Sequence, residues 1–392
     1  SADFKQADDL SHTVTTSSAF SGCTKLTKVD FSRSTLNSVT DTGYMFYECN
    51  SIGENSIVLN SNTTFASLMY AYGMFDSSAE WESEIYSDKI VGCVLSESLI
   101  TKMLSLVGNG TFESSAADMQ LKFVKNGLRY RITSGTEVSV AKYNPTASAI
   151  VIPDTVSESN KTFLVKSIDD IAFANCGNIT SVDVQNSSTN KYITEISRGA
   201  FAWCYNLTSA MLANTIEEIG NGAFRNCNLS SVVIPSNVTT IDSNAYNGCN
   251  NITSVTINSE YDIEYDSLDL YFTSGNIRYK VMDKDVVYVV SKQTAYSGDV
   301  IIPSIVHSGT DFDVTAIDNN AFTGCSLTSI TIPSSVLSVS YAFSNCTVSS
   351  SINILTDADF TNSYLYFINN SLKYKVLNKN SISVMSNSYT GD

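Results

Sequence analysis

Nine cysteines, two histidines and a few close carboxylate pairs are the residues of this 392-residue chain best equipped for chemistry. A metal site built on thiolates needs close ligand pairs such as Cys-x-x-Cys, and the sequence has none. His12 lies near the start, and His307 sits in Val306-His307-Ser308-Gly309, a turn-like stretch. Both read as solvated loop histidines, not as bases of a triad. Asp283 with Asp285, and Asp357 with Asp359, have spacing a calcium ion accepts. No full loop motif surrounds either pair, so they read as solvated turn carboxylates. Gly-x-Ser-x-Gly, His-Glu-x-x-His, P-loop and Gly-x-Gly-x-x-Gly patterns are all missing from the sequence. The residues therefore predict a protein that is not an enzyme, with no cofactor and no metal.

The cysteines have a spacing of a different kind. Ala-Phe-x-x-Cys recurs at Ala19, Ala172, Ala200, Ala223, Ala321 and Ala342, with variants Met45-Phe46-Tyr47-Glu48-Cys49 and Ala245-Tyr246-Asn247-Gly248-Cys249. Only Cys93, in Ile90-Val91-Gly92-Cys93-Val94-Leu95, falls outside this frame. From Ala200 to Ala223 to Ala245, and from Ala321 to Ala342, the period is about 22 residues, that of a leucine-rich repeat. After the Cys come phrases such as Leu327-Thr328-Ser329-Ile330-Thr331-Ile332, whose alternation predicts a short strand with one buried face. Pro153, Pro235, Pro303 and Pro333 follow an Ile directly and end such strands, having no N–H for a ladder. One coil of this length cannot bury its own apolar face, but stacked coils share a continuous core. The motif Phe is expected to plug that core from the far side. Equivalent thiols on neighbouring coils run parallel, wider apart than a disulfide allows, so they read as free, buried, small apolar fillers, Cys93 included.

A longer module interrupts the coils. Leu128-Arg129-Tyr130-Arg131-Ile132, Ile277-Arg278-Tyr279-Lys280-Val281 and Leu372-Lys373-Tyr374-Lys375-Val376 match, and each leads through turn residues to a second β-rich segment, which predicts a β-hairpin. The first two copies run on through Ile-Pro and another hairpin into the next Ala-Phe-x-x-Cys. The resulting organisation is leucine-rich repeats over 1–60, degenerate repeats or an insert over 61–125, and a hairpin module over 126–170. Repeats follow over 171–258, a second module over 259–311, repeats over 312–360, and the start of a third module over 361–392. Within the irregular stretch, Ser96 to Val107 reads as a short helix. The polar opening Ser1-Ala2-Asp3-Phe4-Lys5 carries no signal-peptide pattern. The chain reads as a piece trimmed from a longer protein, beginning and ending inside repeats.

Composition narrows the partners. Net charge is −16 and only 16% of residues are charged, so the chain cannot neutralise a phosphate backbone and nucleic acid is a poor partner. It lacks a basic stripe for anionic lipid. Runs of aliphatic and aromatic residues such as Val286 to Val290 are far too short to span a bilayer. With 43% hydrophobic residues there is material for a large core.

Taken with the repeats, the phrase Ala321-Phe322-Thr323-Gly324-Cys325 followed by Leu327-Thr328-Ser329-Ile330-Thr331-Ile332-Pro333 resembles the BspA-type leucine-rich-repeat family of bacterial surface proteins. The resemblance covers 126–392 and, more loosely, 12–60. It implies a right-handed, β-rich solenoid with a parallel sheet of short strands, here carrying inserted β-hairpin modules. It further implies an extracellular or cell-surface location, outer-membrane anchored or secreted, and adhesion to host or bacterial protein or glycan.

The alternation marks which strand residues face outward. They are Ser181 and Asp183, Ser209 and Met211, Ser231 and Val233, Ser254 and Thr256, and Ser329 and Thr331. This ladder of hydroxyls with apolar steps at Met211 and Val233 suits a broad macromolecular contact better than a deep pocket. Trp203 and Tyr205, flanking Cys204, are aromatics of the type interfaces favour, unless they simply cover the outer side of the core. The leading expectation is a non-catalytic binding protein that takes a host matrix protein or glycan on this face. The alternative is a structural spacer within a larger surface protein. A glycan-processing accessory role is a remote third.

Overall fold

The computed structural model describes residues 15–31, 33, 36–49, 51, 57–59, 122–133, 136–158, 161–184, 192–369 and 372–385. The chain forms two compact units, Ser1–Tyr205 and Asn206–Asp392. Cys93, His12, the Ser96–Val107 helix and nearly all of 61–125 lie outside the described residues.

Short parallel strands supply one wall of each coil. Strand Ser231–Ile234 buries Val232 and Ile234 and exposes Ser231 and Val233. It pairs in parallel with Ser254–Ile257, setting Val232 beside Val255 and Val233 beside Thr256. In the first unit Ala149–Ile152 pairs the same way with Ser181–Val184. Further along the second unit, Ser297–Ile301, Ser326–Ile332 and Thr347–Ile354 form a parallel run. The Val-x-x-Ile stretches make a second, narrower line of parallel pairs, Glu195–Ile196 on Ser167–Ile168 and Glu218–Ile219 on Thr240–Ile241. This is a leucine-rich-repeat solenoid, strand-rich and without an α-helix among the described residues.

The far wall is built by Ala-Phe-x-x-Cys. The Phe N–H donates to the motif Ala carbonyl of the next coil, at 2.7 Å for Phe173 to Ala200, 2.8 Å for Phe224 to Ala245 and 2.8 Å for Phe322 to Ala342. That register stacks the rings. Centroids lie 5.1 Å apart for Phe173–Phe201, 5.5 Å for Phe224–Tyr246 and 5.0 Å for Phe322–Phe343, all inside the core. The chain reverses tightly here by placing two residues per copy in the left-handed region, one before the Ala and one before the Cys. Before Cys these are Gly22, Gly248 and Gly324, Asn175, Asn226 and Asn345, then Glu48 and Trp203. Gly and Asn are the residues that enter this region with least cost.

The cysteine at the end of the turn points back into the stack. In three copies its Sγ–H donates to the Phe carbonyl of the preceding coil: Cys49 to Phe20 at 2.9 Å, Cys204 to Phe173 at 3.0 Å and Cys249 to Phe224 at 3.0 Å. No disulfide joins the eight described cysteines. Seven are buried, but Cys23, expected inside, is exposed. Its coil is the first one described, and the Met45–Cys49 turn stacks on one side of it.

Each inserted module is a small antiparallel sheet locked onto the coils. In the first, Lys122–Lys125, Leu128–Ile132 and Glu137–Val140 pair in order. Lys122–Lys125 thus belongs to the module's sheet, one strand earlier than the sequence reading began it. Glu137–Val140 then pairs in parallel with Lys161–Ile168, whose own antiparallel partner is Thr155–Glu158. The second module repeats the plan with Tyr271–Ser274, Ile277–Asp283 and Val286–Val290, the last of these parallel to Thr310–Ile317. Ile305–Ser308 pairs antiparallel with Thr310–Ile317. A bidentate bond from Arg131 to Asp169, at 2.8 and 2.6 Å, pins the first module to the coil that follows. The parallel run that ends at Thr347–Ile354 continues into Tyr366–Asn369, Leu372–Asn378 and Ser381–Val384, which pair antiparallel in the same sheet.

Candidate functional site

Two of the outward strand positions stand out in the second unit. Met211 is 61% exposed and Val233 is 42% exposed. Their coils are adjacent, since the Ser230 N–H donates to the Thr208 carbonyl at 3.1 Å. Ser209 and Ser231, two residues earlier on the same strands, are also exposed, so this face carries small hydroxyls beside apolar side chains. Apolar groups held in water on the outward face of a strand are available for burial against a partner.

The face narrows beyond Val233. Thr256, its neighbour across the ladder, is half-buried, and so is Ser254. The cause is the Ser308-Gly309-Thr310 turn, which lies along the outer edge of this strand. The Val255 N–H donates to Ser308 Oγ at 3.1 Å and the Ile257 N–H to Thr310 Oγ1 at 2.7 Å. A Cβ at Gly309 would press on Thr256 Oγ1 and the Val255 carbonyl, so only glycine fits, and its φ of +84° needs glycine too. The expected ladder of hydroxyls with apolar steps is therefore partly covered at Ser254 and Thr256. His307, expected in a turn, lies in the strand leading to it, with Nδ1 2.6 Å from an Asp311 carboxylate oxygen in solvent.

Past that turn a second exposed face begins. Thr331 is half-buried between Ile301 and Asn353 in register, and Ser329 Oγ donates to Asp299 Oδ1 at 2.6 Å. Ile301 is 70% exposed. In the first unit Asp183 is half-buried beside Val151, which is 48% exposed. Val151 and Ile301 were not among the sequence-derived candidates. The signal was there: both sit two residues before an Ile-Pro proline, the position Val233 holds before Pro235.

Trp203 is half-buried and Tyr205 exposed, both at the end of the first unit. Trp203 stands at φ +59°, where six of the other seven copies place Gly or Asn. A left-handed indole costs ~1–2 kcal/mol of backbone strain.

Chemistry is muted elsewhere. Burial pushes the thiols up, to about 11 for Cys49 and about 12 for Cys204, Cys249 and Cys346, the opposite of an activated nucleophile. Asp359 is held low by the Thr361 hydroxyl and N–H, and Asp357 pairs with Lys379 at 2.5 Å. Among the described residues no group of three or more His, Cys, Asp and Glu is arranged to hold a metal ion, and no helix is long and apolar enough to cross a membrane.

Comparison with known proteins gives one family: six copies of the BspA type Leucine rich repeat region match residues 9–118, 166–291 and 292–391. No curated protein matches. Solved structures similar to the chain include a leucine rich cell surface protein of Faecalibacterium prausnitzii A2-165, 20% identical, with a TM-score of 0.26, covering 59% of this chain and 76% of that one. A leucine-rich repeat protein of Bacteroides capillosus ATCC 29799 is 24% identical, with a TM-score of 0.30, covering 35% of this chain and 97% of that one. The T. pallidum Leucine Rich Repeat protein is 17% identical, with a TM-score of 0.30, covering 59% of this chain and 86% of that one.

Proposed function

The chain belongs to the BspA-type leucine-rich-repeat family, and from that premise we propose that it is a non-catalytic adhesion protein, secreted or held at the cell surface. Membership points to protein interaction. The finer reading is that a host or bacterial protein or glycan docks on the outward face of the sheet, with Met211 and Val233 as its apolar centre. The observation that carries this is their joint exposure on adjacent coils beside Ser209 and Ser231. A shallow face with two apolar steps and flanking hydroxyls offers area and hydrogen bonds but no enclosed volume, which suits a broad partner. The raised pKa values of Cys204 and Cys249 keep these buried thiols protonated, which supports a binding role for their coils over a reaction.

The test is a binding screen of the chain on immobilised matrix proteins and glycans, repeated with the Met211→Asp, Val233→Asp pair. Both side chains point to water, so the variant keeps its core. Loss of the captured ligand by the variant is the expected result. Equal binding by both chains removes the face from the account. A chain that captures nothing is a spacer.

A further inference from the structure

The two inserted modules share a feature that neither the sheet face nor the family pattern explains. In the first, a groove of about 370 Å³ opens between the hairpin tip and strand Ala149–Ile152, lined by Leu128, Tyr130, Val151 and Pro153. In the second, a groove of about 490 Å³ opens between the equivalent tip and strand Ser297–Ile301, lined by Ile277, Tyr279, Ile301 and Pro303. These four pairs of lining residues correspond between the modules, Leu128 and Tyr130 to Ile277 and Tyr279, Val151 and Pro153 to Ile301 and Pro303. One chain has built the same cleft twice.

Each groove runs along an open strand edge. Ser297–Ile301 is the outermost strand of its sheet, paired only with Ser326–Ile332. In a parallel ladder, alternate residues turn both backbone groups to the same side. The Ile302 N–H donates to the Thr331 carbonyl at 3.0 Å, so Val300 and Ile302 serve the ladder while Asp299 and Ile301 turn their N–H and C=O towards the groove. The first unit shows the same phase. Ser181 N–H donates to the Ser148 carbonyl at 3.3 Å, which leaves Ala149 and Val151 turned outward.

The chain itself shows what such an edge accepts. On strand Ser254–Ile257 the outward N–H groups of Val255 and Ile257 are taken by the Ser308 and Thr310 hydroxyls, and Gly309 makes a parallel bridge to Val255. There a segment of extended backbone carrying hydroxyls covers the edge. No such segment covers the outward groups of Ile301 or Val151 among the described residues.

We propose that each groove is a binding site for an extended peptide of alternating apolar and Ser/Thr residues, which adds to the sheet as one more parallel strand. Ile301 or Val151 would supply the backbone donor and acceptor. Its apolar side chains would rest on Pro303 and Ile305, or on Tyr143 and Pro153, the lining residues that keep exposed surface. The site is separate from Met211 and Val233.

A labelled peptide of residues 326–332, Ser-Leu-Thr-Ser-Ile-Thr-Ile, is the natural probe, because that sequence already pairs with the other edge of Ser297–Ile301. Titrated against the full chain and read by fluorescence anisotropy, it is expected to bind saturably. The Val151→Pro, Ile301→Pro pair removes the two outward donors without touching a ladder bond, and proline is tolerated on such edges. It is expected to weaken binding at least tenfold, with circular dichroism unchanged, whereas Leu337→Asp, at an exposed side chain that lines neither groove, is expected to leave binding as it was. Should the proline pair fail to fold, two peptides N-methylated on alternate residues decide the matter on the unmodified chain. Strand addition requires that one lose at least tenfold and the other hold. No saturable binding, or equal loss or equal retention by both methylated peptides, overturns the proposal and leaves edges guarded only by proline and charge. Self-association of the chain that is abolished by the proline pair overturns it too, placing a second copy there instead.

Discussion

The same side-chain type has different duties in different copies of the turn, and the backbone explains why. Phe201 and Phe224 stack on Phe173 and Tyr246 with no exposure, so Phe201→Ala is expected to cost ~3–5 kcal/mol in urea unfolding. Trp203, two residues on, sits half-buried at a left-handed position that most other copies give to Gly or Asn. Trp203→Asn releases ~1–2 kcal/mol of strain while losing some burial. It is expected to shift stability by less than ~1 kcal/mol and to weaken any ligand that uses this end of the unit. Among the thiols, alkylation mapped by mass spectrometry is expected to mark Cys23 well before Cys49, Cys204 or Cys249. Those three give their hydrogens to Phe carbonyls and are hard to ionise. The burial of the motif Phe was legible from recurrence alone. The exposure of Cys23 was not, because a repeat pattern gives a residue its place in the coil but not whether another coil covers it.

At the level of elements, the decisive contact is the one between an inserted hairpin and the repeat it interrupts. The Ser308-Gly309-Thr310 turn seals strand Ser254–Ile257 through two hydroxyls and a glycine with no room for a Cβ. Gly309→Ala is therefore expected to destabilise the second unit by ~1 kcal/mol or more and to speed amide exchange at Val255 and Ile257 selectively, read by hydrogen exchange. Strand alternation in Ser231-Val232-Val233-Ile234 could be read from the sequence, because each residue's burial is set by its neighbours two apart. The half-burial of Thr256 could not, because its cover comes from residues some fifty positions away. The exposure of Val151 and Ile301 follows from their place two residues before the proline, but the grooves beside them do not, because only the folded module brings the hairpin tips near.

Across the whole molecule, the shared core makes one collective prediction. Cys204, Cys249 and Cys346 are raised from 9.0 to about 12, and Tyr130, Tyr265 and Tyr296 from 10.0 to about 12, chiefly by burial. The unfolded chain releases these protons first, so their contribution is complete below pH 9 and is lost as pH climbs towards 12. Urea midpoints are expected to fall steadily over that interval, and less steeply in a Cys204→Val variant. Below it, the same groups stay protonated, and this bears on how a chain with so many sulfurs survives air. Oxidative cross-linking needs a thiolate that can reach another sulfur. The closed stack denies both to the buried residues of the column, each a spectator once its coil is covered. A newly made chain is open to mispairing only while its coils are still zipping together. After that, Cys23 is the one described thiol left for an oxidant to find.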